Sequence, residues 1–459
     1  MFNKILIANR GEIAVTVIRA CREMGIRSVA VCSEADRTAL HTQLADECLC
    51  IGPASARESY LNPQAILTAC HITGAEAVHP GFGFLSENAA FARMAEKCGV
   101  TFIGPTDKII DQMGDKATAR QTAVLAGVPV IPGTAGVVDS QAAAVKEAEK
   151  IGFPVMIKAS SGGGGRGMRI AYGRDDFPVA FQTARTEAKA CFNDDRVYLE
   201  RFVKNPRHIE IQLLADHHGH VIHLGDRDCS IQRRNQKMVE EASSPFMDDS
   251  LRQMMGDAAV KLARNVDYRG VGTIEFLVDD DRQFYFMEMN TRIQVEHPVS
   301  EAITGINLIQ EQIKAAAGEK LTIRQEDIVY SGHAIECRIN AENPASGFRP
   351  SPGLIESLHL PGGPGVRVDS AIYQGYTVPP DYDSLIAKLI VHAPSRPQAI
   401  ARMRRALMEF MISGIETNID FHLAIFRDPD FVAGRYHIGF LGQKMDALLG
   451  QMNPYRKER

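Results

Sequence analysis

Glu288-Met289-Asn290-Thr291-Arg292-Ile293-Gln294-Val295-Glu296 puts a polar, chemically versatile side chain at every even position. Those positions carry two carboxylates, two amides and a guanidinium, while the odd positions are Met, Thr, Ile and Val. Read as a β-strand, the alternation lines the polar groups along one face. Any half-exposed antiparallel strand shows some such alternation. Here, however, amides and mixed charges stand where exposed strands are commonly rich in Lys and Thr. The preceding Phe284-Tyr285-Phe286-Met287 is apolar on both faces, so the strand starts inside a core.

Working outward, Gly272–Val278 reads as the partner strand, Asp279-Asp280-Asp281-Arg282 as the turn, and Gln283 as the start of the return. A four-residue loop pairs Val278 with Gln283 and Glu275 with Phe286, which leaves Glu275 one diagonal step from Glu288 on the same face. Glu275, Glu288 and the Asn290 carbonyl are then hard oxygen ligands suited to Mg²⁺ or Mn²⁺ held jointly with phosphates. A loop one residue longer or shorter breaks this register.

The 459 residues suffice for two to four domains. Hydrophobic residues at 45% and charged residues at 23% mark an ordinary globular chain. A net charge of -5 argues against a nucleic-acid partner. The local cluster Arg233-Arg234-Asn235-Gln236-Lys237 suits a small anion better than a polymer. Nine scattered cysteines without a CxxC pair read as reduced thiols of a cytoplasmic protein. The first ten residues hold too short an apolar run for a signal peptide, and no segment has the apolar length to span a membrane.

Strand signal at 4–8, a helical stretch at 12–24 and strand signal at 27–32 predict a parallel, doubly wound start, continued by strands at 75–79 and 100–103. The opening turn lacks G-x-G-x-x-G, so it predicts no dinucleotide site. The compact loop His79-Pro80-Gly81-Phe82-Gly83-Phe84 is a candidate site loop. Further strands are predicted at 153–159, 168–171 and 334–339, and helices at 178–190, 249–266 and 397–412.

Gly162 to Gly167 spells G-x-G-x-x-G, but strand follows it rather than helix, which predicts a hairpin flap whose backbone N–H groups close over phosphates. Lys158 stands on an otherwise apolar strand and needs a partner, for which a phosphate is suitable. Tyr198–Val203 reads as an extended segment able to pair with a purine edge. His208, Glu210 and Gln212 alternate along one strand face.

Asn9–Ala14, His79–Asn88 (HPGFGFLSEN), Met113–Lys116, the 160–168 loop, Gln232–Glu241 (QRRNQKMVEE), Glu288–Val299 and His333–Asn340 (HAIECRIN) together resemble biotin carboxylase, an ATP-grasp enzyme. The resemblance runs essentially the whole length. It implies an α/β fold with a Rossmann-like N-terminal domain (1–113), an ATP-grasp domain (114–330) with a mobile lid at about 131–203, and a C-terminal mixed α/β domain (331–446) before a tail (447–459). It implies that Lys116, Lys158, Gly163, Gly164, Gly165, Arg166, Gly167 and Met168 hold ATP phosphates. Glu200, Arg201 and Val203 face adenine, and His208, Gln232 and Asn235 lie near ribose and base. Glu275, Glu288 and Asn290 take the divalent metals, two ions of Mg²⁺ or Mn²⁺. Lys237, Arg292, Gln294 and the Val295 N–H bind bicarbonate, and Glu296 is the base. Arg338 stabilises the biotin enolate, with Phe82 beside the biotin.

Three positions depart from the commonest pattern of the resembled family. Asn235 stands where many members have His, Phe82 where many have Tyr, and Arg201 where Lys is frequent. No Met-Lys-Met acceptor centre is present, so biotin is expected on a separate carrier protein, with carboxyltransferase subunits beside it and this chain as a homodimer. Acetyl-CoA carboxylase is the expected context, and pyruvate or other acyl-CoA carboxylases are the alternatives. A carboxylate–amine ligase or a non-catalytic ATP-binding scaffold are more distant readings.

Overall fold

The computed structural model describes residues 1–160 and 167–452. The chain opens with β1 (Lys4–Ile7), α1 (Gly11–Glu23) and β2 (Arg27–Ser33). Then come β3 (Glu47–Gly52), β4 (Ala77–His79) and β5 (Thr101–Phe102). All pair in parallel, in the order β3-β2-β1-β4-β5. Helix α1 buries Ile13, Ala14, Val17, Ile18 and Cys21, spaced as one helical face. That is the doubly wound start the sequence predicts.

The loop after β4 is pinned to the start of α1. Asn9 Nδ2 donates to Pro80 O and to Phe82 O, both at 2.7 Å. Gly81 has φ +61°, and a Cβ there would meet Asn9 Nδ2 at 2.8 Å. The left-handed backbone and the close approach both require glycine.

A three-stranded unit follows: β6 (Val155–Ala159), β7 (Met168–Ala171) and β8 (Val197–Arg201), in the order β7-β6-β8. It has its own small core of Val155, Ile157, Phe177, Phe181, Val197 and Leu199. The main body is an antiparallel sheet of eight strands. Its members are β9 (Arg207–Ala215), β10 (Val221–Arg233), β11 (Gln236–Ala242), β12 (Gly270–Val278), β13 (Phe284–Asn290), β14 (His333–Asn340) and the strands Leu385–Ala393 and Val366–Ser370. They run β13-β12-β9-β10-β11-β14 and then Leu385–Ala393 and Val366–Ser370. The strand predicted at 334–339 thus extends this sheet rather than starting a separate one.

Both faces of the sheet's middle are covered. Ile209, Ile211, Leu213, Ile274 and Phe276 pack on one side under the helix Asp249–Asn265. On the other, Leu214, Ile222, Leu224 and Val271 share a core with Ile5, Ile7, Ile13 and Val17 of the first sheet. Polar side chains on that second face are therefore buried between layers rather than solvated.

The β12–β13 hairpin departs from the expected register. Val278 pairs with Phe284, not Gln283, because the turn takes residues 279–283. Phe276 faces Phe286, and a bulge at Met287 then shifts the ladder so that Glu275 faces Glu288 directly. The extra turn residue and the extra strand residue fall on the same arm, so both carboxylates keep to one face. A second departure is larger. The strand ends at Asn290, and 291–296 is a loop leading into the helix His297–Thr304. The Thr291 N–H donates to Glu87 Oε1 at 3.1 Å and Arg292 Nε to Glu87 Oε2 at 3.0 Å, which draws the chain off the sheet. Pro298, near the helix start, suits the first helical turn.

Phe276 is fully buried and meets Phe284 edge to face at 5.5 Å. Phe276→Ala is expected to cost about 3–5 kcal/mol, the range for emptying a packed aromatic site. Urea unfolding measures this, and a loss under about 1 kcal/mol would contradict the hairpin packing described here.

Candidate active site

The ammonium of Lys237 stands at the centre of a buried polar face. It donates to Glu275 Oε1 at 2.9 Å, to Glu296 Oε1 at 2.6 Å and, more closely still, to Glu210. Register explains the meeting. Glu210 of β9 faces Glu275 of β12 on one side and Arg227 of β10 on the other. Lys237 enters from β11 opposite Gln232. Glu296 comes down from the loop that leaves β13.

Each charge there is set by its neighbours. Burial pushes the Lys237 ammonium down, but Glu210, Glu275 and Glu296 outweigh it and hold it well above its ordinary value. Burial pushes the Glu296 carboxyl up, but Lys237, Arg338 and Arg227 pull it well below the usual carboxylate range. Glu275 is likewise lowered, by Lys237 and His208 against burial. Burial dominates at Glu210 and leaves it raised. Arg292 is not among the leading causes of the lowering at Glu296. Its Nε is engaged by Glu87 and its Nη2 donates to Asn290 Oδ1 at 2.8 Å.

Arg227 and Arg338 complete the cluster. Arg227 is wholly buried and donates to Glu210 Oε2 (3.0 Å), Gln212 Oε1 (2.5 Å), Ser300 Oγ (3.1 Å), Thr273 Oγ1 (3.1 Å) and Gln294 Oε1. Gln294 in turn donates to Glu275 Oε1 at 2.8 Å. Arg338 of β14 donates to Glu296 Oε2 at 2.9 Å and to Glu240 Oε1 at 2.6 Å. Burial pushes the Glu240 carboxyl up to about 7. A cavity of about 580 Å³ opens above this array, lined by Phe82, Lys237, Arg292, Val295 and Arg338 among others. Its opposite rim is Arg10, stacked on Tyr382 at 4.3 Å and paired with Asp36.

Toward β13, Glu288 faces Glu275 across the ladder and meets Lys116 Nζ at 3.4 Å. Two carboxylates facing one side are a fitting donor set for a hard divalent cation. Asn290 is less free than expected, because its amide nitrogen donates to Glu275 and its oxygen accepts from Arg292. Lys158, for which a phosphate partner is expected, instead pairs with Glu200 at 2.5 Å across β6 and β8. Glu200 also receives Arg120 at 3.4 Å, and Arg201 donates to the Tyr285 hydroxyl at 2.6 Å. Val203 is buried nearby in sequence, just past β8.

His208 sits between Gln232, whose amide lies 2.6 Å from Nδ1, and Glu275, whose carboxylate lies 2.9 Å from Nε2. Asn235 lies apart, exposed at the tip of the β10–β11 hairpin with φ +63°, beside Arg234 at φ +49°. A two-residue loop with both φ positive favours Asn, which gives this departure a backbone reason. Met168 opens β7 opposite Lys158, and Gly167 precedes it at φ +69°. The expected phosphate contacts at Gly163, Gly164, Gly165 and Arg166 lie outside the described residues. Sequence reading missed Glu87, Arg227 and Glu240. Glu87 and Glu240 lie inside two of the quoted stretches, HPGFGFLSEN and QRRNQKMVEE, and Arg227 lies between Asp226 and Asp228, but no local pattern sets any of the three apart from its neighbours.

The chain and its fold have close counterparts. Residues 1–110 match the family model for the biotin carboxylase N-terminal domain, 115–324 that for the carbamoyl-phosphate synthase L chain ATP-binding domain, and 336–443 that for the biotin carboxylase C-terminal domain. The chain is 54% identical to biotin carboxylase 1 of Bacillus subtilis over 442 residues, covering 96% of this chain and 98% of that one. It is 57% identical to the chloroplastic biotin carboxylase of Arabidopsis thaliana over 446 residues, covering 97% and 83%. Among solved structures, the biotin carboxylase domain dimer of Hydrogenobacter thermophilus 2-oxoglutarate carboxylase, in complex with MgADP, ADP and bicarbonate, superposes with TM-score 0.93 at 49% identity, covering 98% of this chain and 99% of that one. A Campylobacter jejuni biotin carboxylase bound to a β,γ-ATP compound gives 0.93 at 48%, covering 96% and 99%.

Lys237→Met leaves Glu210, Glu275 and Glu296 without their shared cation, a change expected to cost about 3–5 kcal/mol at neutral pH. The lowered carboxyls of Glu275 and Glu296 contribute stability that is present above about pH 4.5 and lost as pH falls through their folded-state values. In the variant the released carboxyls titrate higher and take protons sooner. The stability gap in urea unfolding should therefore narrow from about pH 7.5 to about pH 5; a gap independent of pH contradicts the arrangement.

Proposed function

The chain belongs to the biotin carboxylase family, and on that premise we propose that it carboxylates biotin borne on a separate carrier protein, using ATP and bicarbonate. The observation that carries the reading is the meeting of Lys237, Glu296 and Arg338 under one cavity, with Glu275 and Glu288 adjoining. An anion-binding group, a carboxylate base and a second cation stand on one side. A metal–phosphate end stands on the other.

Bicarbonate is a poor nucleophile, and it must meet a second anion. Lys237, Arg292, Gln294 and the Val295 N–H are assigned to hold it, so that catalysis is chiefly positioning and charge stabilisation. Glu275 and Glu288, with Asn290, would hold the divalent cations, whose charge offsets that repulsion when they are bound. Lys116, Lys158 and the 162–167 loop are assigned to the ATP phosphates, and Glu200, Arg201, Val203, His208, Gln232 and Asn235 to the nucleoside. For Lys158 this requires exchanging Glu200 for a phosphate.

Glu296 is assigned the proton acceptor. A carboxyl held so low is ionised at any working pH, yet for the same reason it accepts a proton poorly. The cations that lower it are those the substrates engage. As Lys237 turns to bicarbonate and Arg338 to the biotin ureido oxygen, Glu296 regains basicity where the proton is released. The bicarbonate oxygen then attacks the γ-phosphorus and ADP departs. The carboxyphosphate formed breaks into CO₂ and phosphate, the phosphate takes the N1′ proton, and N1′ attacks CO₂. Arg338 stabilises the enolate, with Phe82 against the ring.

The finer context is proposed with it: a homodimer, a cytoplasmic location, and service to a carboxyltransferase of acetyl-CoA carboxylase or of a pyruvate or other acyl-CoA carboxylase. Nine free cysteines support a reducing compartment. Among the described residues no helix is long and apolar enough to cross a membrane. The Hydrogenobacter relative, a domain dimer, supports pairing.

ATP hydrolysis with Mg²⁺, measured with and without bicarbonate and free biotin, tests the reading; stimulation by an acid and an amine instead would favour a carboxylate–amine ligase. Glu296→Gln should fold and bind ATP while losing about 10²–10⁴ of bicarbonate-dependent turnover. Near-normal turnover would assign the base elsewhere.

A further inference from the structure

Lys388 is a wholly buried cation for which the chemistry above has no use. It lies on the strand Leu385–Ala393, directly between Arg338 of β14 and Asp369 of the edge strand Val366–Ser370. Its ammonium donates to the Val295 carbonyl at 2.9 Å and lies 3.1 Å from Glu12 Oε2. Asp369 is farther, at 3.9 Å, and is already held by Arg367 Nε and Nη2 at 2.8 and 2.7 Å. Lys388 thus has two close partners, a carboxylate from α1 and a main-chain carbonyl in the loop after β13.

An ammonium taken out of water costs several kcal/mol unless it is paired and hydrogen-bonded. An apolar side chain would fill the same space without that cost, so packing does not account for the residue. What an apolar residue cannot do is hold the Val295 carbonyl. That carbonyl belongs to the planar peptide joining Val295 to Glu296. Fixing it fixes the last torsion of Val295 and the first of Glu296. The Glu296 carboxylate must reach both Lys237 and Arg338 from that backbone.

We propose that Lys388, neutralised by Glu12, is a positioning residue for bicarbonate, locking the Val295–Glu296 peptide so that the Val295 N–H and the Glu296 carboxylate address one anion. This rests on the reading of the cleft given above. It makes α1, whose Glu12 lines the same cavity as the preceding Arg10, a structural support of the bicarbonate end.

The test is the kinetics of bicarbonate-dependent ATP hydrolysis with free biotin, on Lys388→Met and on Glu12→Gln combined with Lys388→Met. The double variant removes both members of the close pair together; Asp369 keeps Arg367, and the carboxyl of Glu336, the other buried acid facing Lys388, is held well above its ordinary value by burial, so the double variant remains informative where the single variant fails to fold. The expected result is a double variant melting near the unaltered protein, with KM for bicarbonate raised about tenfold or more and KM for ATP within about twofold. A folded double variant with unchanged bicarbonate KM overturns the positioning role. So does a parallel rise of both KM values, or failure of both variants to fold, since each makes Lys388 a stability residue only. Absence of bicarbonate stimulation in the unaltered protein overturns the reading of the cleft itself, and the positioning role with it.

Discussion

One ammonium group holds the centre of this molecule together. Lys237 reaches carboxylates from β9, β12 and the loop after β13, all three of them buried. Without it, Glu210, Glu275 and Glu296 would repel one another across distances where buried charges interact strongly. Arg227 and Arg338 extend the same logic outward, each satisfied at several donors. Charges so interlocked are weak evidence of stability, since apolar replacements often do as well. They are better understood as an electrostatic surface assembled in advance of the anions it is to meet.

The fold supplies that surface by layering. The antiparallel sheet spans the molecule, and the parallel sheet covers the half of it that carries the polar side chains. The loop pinned by Asn9 brings Phe82 to the cavity, and the start of α1 brings Glu12 and the preceding Arg10. Glu87, at the end of the same first-domain segment, draws Arg292 and the chain beyond β13 off the sheet. Residues distant in sequence thereby meet at one wall of one cleft, which suits a reaction in which two anions must be presented to each other.

Much of this was legible in the residues. The βαβ opening, the strands at 153–159 and 168–171, and the helices near 178–190, 249–266 and 397–412 follow from periodicity and turn chemistry, and the structure has them with ends shifted by a few residues. The convergence of Glu275 with Glu288 was also legible, though for the wrong reason. The turn is one residue longer than expected, and the bulge at Met287 absorbs the error. Alternation through 288–296 pointed to residues that the structure brings together, but in the wrong conformation. Asn290 ends the strand, and Glu296 reaches Lys237 from a loop. Local pattern marks which residues share an environment; it does not register a contact such as Glu87 with Arg292, which lies 205 positions away along the chain.

By itself, the sequence determined the family, the order of elements and a set of candidate side chains for phosphate, metal and bicarbonate, because motif order and period-two alternation are local properties. Only the tertiary structure decided how those side chains are charged and held. Glu296 is lowered by Lys237, Arg338 and Arg227, Lys158 answers to Glu200, and Lys388 meets Val295 and Glu12. Protonation and hydrogen bonding are set by what lies within a few ångströms in a medium without water, and those neighbours come from segments that the linear sequence keeps far apart.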